Sequence, residues 1–218
     1  MKTKYFKLSC LFLFILFATQ SCVVSSLHPL YTDSDRVHLD DLDGVWIDED
    51  HEIIEIKTIV DSTESDKTEQ FFFNPVLRKH YQITVRSKKE KNAVFDGRLS
   101  KLDGNYFLDL IPNEKFLEKN LDNINLIGLV VPMHALFKLQ IKDDQLILDG
   151  IGNDVFEKLI DENKIRIDYI KRGDRIVLTS KTSDLQKFLI KFSDDKMFND
   201  PKKALILKRI EDLDFKSE

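Results

Sequence analysis

YQITVRSKKEKNAVFDGRLSKLDGNYFLDL, residues 81–110, decides the fold. Tyr81, Ile83 and Val85 alternate with polar residues, then Phe95, Gly97 and Leu99 do, then Tyr106, Leu108 and Leu110. A period of two is the mark of strands with one buried face. Asp103-Gly104 joins the last two runs as a hairpin turn, because Asp and Gly accept the positive φ angles that a two-residue connection needs.

The pattern continues in both directions. Ile54 and Ile56 precede it; Phe137-Leu139-Ile141, Ile165-Ile167-Tyr169 and Ile176-Leu178 follow, with Asp143-Asp144 and Arg172-Gly173-Asp174 as links. Strands in sequence with short links imply a mainly β fold, an antiparallel up-and-down meander closed into a barrel or curled so that its edges are protected. Two short α-helices interrupt it. Asp154 with Glu157 three residues on opens one that reaches about Glu162, and Ser183 with Gln186 opens the other. In the second, Leu185, Phe188, Leu189 and Phe192 form one apolar stripe that must pack on the sheet. A short strand, Ala204 to Ile210, closes the chain. Residues 112–132 stand outside the meander: Glu114 to Leu121 could make a turn or two of helix. Ile124 to Val131, apolar apart from Asn125 and Gly128, reads as a buried strand or a lid over a barrel mouth.

The N-terminus has a different logic. Lys2, Lys4 and Lys7 precede an apolar run from Leu8 to Ala18, far short of the roughly 20 residues that span a bilayer, and Ser21-Cys22 follows. This is the layout of an export signal. Cys22 after Ser21 resembles the lipobox of bacterial lipoproteins, in a loose Bacteroidetes-like form with Thr19 and Gln20 where the usual box has Leu and a small residue. Cys10 does not compete, because the main apolar run, Leu11 to Ala18, follows it instead of preceding it. The resemblance implies cleavage after residue 21, acylation of Cys22 (palmitate-type chains) and attachment to a membrane. Val23, not Asp, follows the cysteine, and no acidic cluster comes next, so the expected address is the periplasmic face of the outer membrane. The expected organisation is a signal peptide over 1–21, a tether over 22–41 and one β-rich domain over 42–218.

Removing residues 1–21, with their three lysines and no acid, takes the formal net charge from −5 to about −8. An acidic chain is a poor phosphate binder, so no nucleic-acid partner is expected. With Cys22 acylated no thiol remains for a disulfide, and stability must come from an ordinary core, for which 16 Phe are available.

Gly44-Val45-Trp46 at the head of the first strand resembles the Gly-x-Trp motif of lipocalins. That likeness implies an eight-stranded barrel with Trp46 plugging one end and a late arginine packed over it, which could be Arg172, Arg175 or Arg209. His28-Pro29-Leu30-Tyr31-Thr32, Pro132-Met133-His134-Ala135-Leu136-Phe137 and the passage from Leu178 to Leu189 also look like an uncharacterised family of bacterial lipoproteins, which implies topology and location but no activity.

Several strings imitate catalytic motifs. His51-Glu52-Ile53-Ile54-Glu55 has Glu where a zinc protease has its second His, and its alternation is that of a strand. Gly150-Ile151-Gly152 has Val155 in place of a third glycine and reads as a turn and helix cap. Asp48-Glu49-Asp50-His51-Glu52 lacks the spacing of a calcium loop. Phe71-Phe72-Phe73 reads as core. No catalytic residue, metal ligand or cofactor is assigned, and no enzyme is expected. The function expected is the binding of an apolar molecule such as an acyl chain, with Ile124, Leu126, Leu129, Val131 and His134 near the entrance and Trp46 at the opposite end. The alternative is a non-catalytic structural or interaction protein with a packed core.

Overall fold

In a computed structural model, residues 24–60, 76, 79–87, 92–120, 131–142, 144–173, 175–193, 198 and 204–210 are described. Eight antiparallel strands close on themselves: β3 (Gly44–Ile47), β4 (Ile53–Val60), β5 (Lys79–Arg86), β6 (Ala93–Leu102), β7 (Asn105–Pro112), β8 (His134–Lys142), β9 (Gln145–Gly150) and β12 (Leu205–Arg209). Each pairs with the next, and β12 joins β9 to β3. The expected up-and-down barrel is the fold, with the last strand as its closing stave.

The alternation read from the sequence becomes the lumen. Ile54, Ile56, Tyr81, Ile83, Leu99, Leu108, Leu139, Leu146 and Leu207 form one buried cluster with Trp46. The opposite parity of β6, β7 and β8 faces outward but is not solvated. Leu102, Phe107 and Leu136 form a second core with Phe156 of α2 (Asn153–Asp161) and Leu185, Phe188, Leu189 and Phe192 of α3 (Thr182–Phe192). The α3 stripe therefore packs on the outer wall, where full burial of each such side chain contributes roughly 1.5–3 kcal/mol. A third helix, α1 (Glu114–Asn120), follows β7 and buries none of its residues.

Three local expectations change. Residues 24–41, expected as a tether, are built into the body: β1 (Ser25–Ser26) pairs with β8, β2 (Arg36–Val37) pairs with β6, and Val24 and Leu30 are fully buried. Leu30 donates its backbone N–H to Asp109 at 2.8 Å, and Thr182 and Gln186 donate to the carbonyls of Pro29 and Leu30. Ser183 and Gln186 thus do not cap α3, whose N-cap is Lys181 with no side-chain bond; Gln186 holds the N-terminal segment instead. Asp154 likewise lies in the first turn of α2, with Gly152 at the cap. Of the run Ile165-Ile167-Tyr169, only Tyr169 is in a strand, β10 (Tyr169–Arg172), which pairs with β11 (Arg175–Leu178); Ile165 and Ile167 pack on the outer core as irregular chain.

Candidate functional site

The two ends of the barrel are finished differently. At the end where β3 begins, Gly44 takes φ +149°, and a Cβ there would stand 2.5 Å from Arg209 Nη1. Only glycine leaves room for that guanidinium, which lies 4.3 Å over the Trp46 ring and donates to the carbonyls of Asp43, at 2.8 Å, and Asp41. Register selects Arg209 among the three candidate arginines, because β12 places it directly opposite Trp46. Trp46 is 1% exposed and its indole N–H donates to Leu42 O at 3.1 Å. The chain from Leu39 to Asp43 crosses this end, pinned by Tyr81, whose hydroxyl accepts from Leu39 N at 2.8 Å and donates to Leu39 O. Burial pushes the Tyr81 hydroxyl up to about 12. His38 stacks on Tyr81 at 4.9 Å, and burial lowers its imidazole below the usual value. Beside this seal, a cleft of about 440 Å³ lies between the β6–β7 turn and the end of β8, with Tyr106, Lys138, Leu139 and Gln140 in its wall.

Midway, the lumen is filled. Gly97 faces inward, and Ile83, Leu108 and Leu110 occupy the space its side chain would take. At the far end, Val85, Phe95, Leu110 and Phe137 face the lumen but are only half-buried. The rim is ordered by Asn113, whose amide donates to both oxygens of Asp96 at 2.9 and 3.0 Å and whose carbonyl accepts from Phe116 N, fixing the start of α1. Phe116 and Leu117 of that helix are half-buried. Phe95, Leu110 and Phe137 escaped the expected list of entrance residues, although their alternating parity marked them as inward-facing.

The residues named for the entrance fare unequally. Ile124, Leu126 and Leu129, like Cys22 and Phe71-Phe72-Phe73, lie outside the described residues. Val131 is 66% exposed. His134 belongs to the outer wall, because it has the parity of Leu136 and not of Phe137. Its Nδ1 donates to Asp109 Oδ1 at 2.7 Å in a buried pair that also accepts the N–H of Leu30. Ser26 is paired in register with His134, but its hydroxyl donates to His28 O at 2.8 Å and is itself fully buried. The three do not form a nucleophilic relay, which needs the hydroxyl on the imidazole. The acidic run Asp48 to Glu52 is the β3–β4 turn, in which Asp48 accepts from Glu52 N at 2.8 Å and His51 takes φ +63°. Among the described residues, no three His, Cys, Asp or Glu side chains gather to hold a metal ion.

No protein-family model, curated protein or solved structure matches this chain.

Proposed function

We propose that this protein is a membrane-anchored lipoprotein of the cell envelope, acylated on Cys22, whose barrel takes an apolar molecule such as an acyl chain through the end opposite Trp46. The observation that carries the reading is the asymmetry of the lumen. One end is sealed by Trp46, Arg209 and the crossing chain, whereas the other presents Val85, Phe95, Leu110 and Phe137 as an apolar ring with residual exposure. Apolar side chains left half-wet inside a barrel gain by covering one another or a ligand, at about 0.8 kcal/mol for each methylene removed from water. The filled middle limits the depth, so the ligand lies in the mouth half, with its polar end outward. Membrane attachment through Cys22 supplies such molecules at high local concentration.

Two experiments test it. Cells fed radioactive palmitate should label the wild-type chain and not Cys22→Ser, and equal labelling removes the anchor. Titration with a fluorescent fatty acid should saturate at one site and weaken at least tenfold in Leu110→Asp; a linear, unsaturable response removes the site.

A further inference from the structure

The barrel wall does not stop at its rim. β8 pairs with β9 over Phe137 to Lys142, but its first residues, His134 and Ala135, pair with β1, which pairs with β11 and through it with β10. Beside the rim the sheet therefore leaves the barrel wall as a lip. Its two faces have opposite fates. The face carrying His134, Ser26, Ile176 and Leu178 continues the outer wall and is buried under α2 and α3. The other face continues the lumen: Ala135, Ser25, Val177 and Ile170 lie in one cross-strand row, half-buried until Ile170, which is 49% exposed.

On this second face Arg172 stands directly opposite Arg175, both exposed. Like charges directly opposed across a strand pair destabilise it. Lys171, on the covered face, is matched to Glu157 at 2.8 Å, whereas neither arginine has an ion pair among the described residues. The hairpin thus presents Arg172 and Arg175 together on the uncovered face, in a chain of net charge −5. An anionic surface would turn this repulsion into attraction.

The position of Val24 bears on which surface that is. β1 runs parallel to β11, so the chain upstream of Ser25 heads toward the end of the sheet where β10 turns into β11. Val24 is already locked there by its bond to Ile151 O at 2.9 Å. One residue separates it from Cys22, so the two Cα atoms are at most about 7 Å apart. Strands are spaced about 4.8 Å apart, which puts the hairpin tip within a strand or two of Val24.

We infer that the uncovered face of the lip, through Ile170, Arg172 and Arg175, docks on a bilayer surface of anionic phospholipid. The arginines meet headgroup phosphates and Ile170 enters the interface. The placement of the lipid beside the hairpin rests on the lipoprotein reading above; the test does not.

The test uses the chain from Cys22 onward, purified without acylation; it contains every described element. It is floated with vesicles of phosphatidylcholine alone or with half phosphatidylglycerol, at low salt and at 0.5 M salt. Each basic residue at an anionic surface contributes about fivefold. The wild-type chain should therefore float with the anionic vesicles, release at high salt, and lose about twentyfold in partitioning in the Arg172→Gln/Arg175→Gln double variant, while Lys187→Gln/Lys191→Gln on α3 changes nothing. Circular dichroism confirms that each variant is folded. A wild-type chain that floats no better with anionic than with neutral vesicles, or a double variant that floats as well as the wild type, overturns the inference. Palmitate labelling stands apart: an unlabelled chain that still floats on anionic vesicles loses its anchor but keeps the docking face, and a labelled chain indifferent to phosphatidylglycerol does the reverse.

Discussion

Replacing Arg209 by Ala should cost about 3 kcal/mol. Three contributions are lost: the guanidinium's contact with the Trp46 ring, worth about 0.5–2 kcal/mol, and two charged hydrogen bonds to the carbonyls of Asp43 and Asp41, each worth at most about 1.5–3 kcal/mol. Arg209 is half-buried, which puts each near its lower bound. For a chain of this length, about 3 kcal/mol corresponds to a fall in melting midpoint of roughly 6–12 °C. Gly44→Ala should cost a similar amount by a different route, since its Cβ would displace the same guanidinium in addition to straining the backbone at φ +149°. Once Arg209 is gone, Gly44→Ala should cost only the strain. Urea unfolding followed by the fluorescence of Trp46, the sole tryptophan, gives all four corners of the cycle. The predicted coupling is about 2 kcal/mol. Strict additivity, or an Arg209→Ala variant as stable as the wild type, would refute the idea that the arginine seals this end.

Three further outcomes follow from the same geometry. Asp109→Ala should cost about 3–5 kcal/mol by chemical denaturation, because it leaves His134 and the Leu30 N–H buried without their acceptor. Stability should decline as pH falls below the ordinary imidazole value of about 6.5: burial, and after it Lys79, hold His38 neutral against the opposite pull of Asp40, so the unfolded chain binds the extra proton first. His38→Gln should flatten that slope, and an unchanged slope would assign it elsewhere. Gly97→Leu should overpack the filled middle of the lumen and lower stability by about 1–3 kcal/mol; a neutral result would mean that the middle is not filled.

The lumen was legible because it obeys a period of two that the sequence carries openly from Ile54 to Leu139. Phe107, Leu136 and Leu102 were harder. They interrupt the alternation with apolar residues of the opposite parity, and only the packing of α2 and α3 shows why that parity is apolar too. β1 and β2 are two residues each, too short for any period, so the stretch around Val24 and Leu30 read as a tether although it is held by side chains some 80 to 150 residues away in the chain. The helix starts misled for a related reason. Ser183 and Gln186 match a capping box, but the glutamine bonds the carbonyl of Leu30 and the carboxylate of Asp35, a tertiary use that no local pattern encodes. The motif Gly44-Val45-Trp46 located the sealed end. Its arginine was settled only by strand register, and the half-exposed ring at the opposite mouth only by burial.

The most direct test of the account is a calorimetric titration of the unacylated chain with saturated fatty acids of increasing length. Binding at the proposed mouth opposite Trp46 predicts one site per chain, an affinity that rises by about fourfold per methylene until the mouth half is filled, and a loss of binding in Leu110→Asp. Heat that never saturates, or an affinity indifferent to both chain length and Leu110, would contradict it.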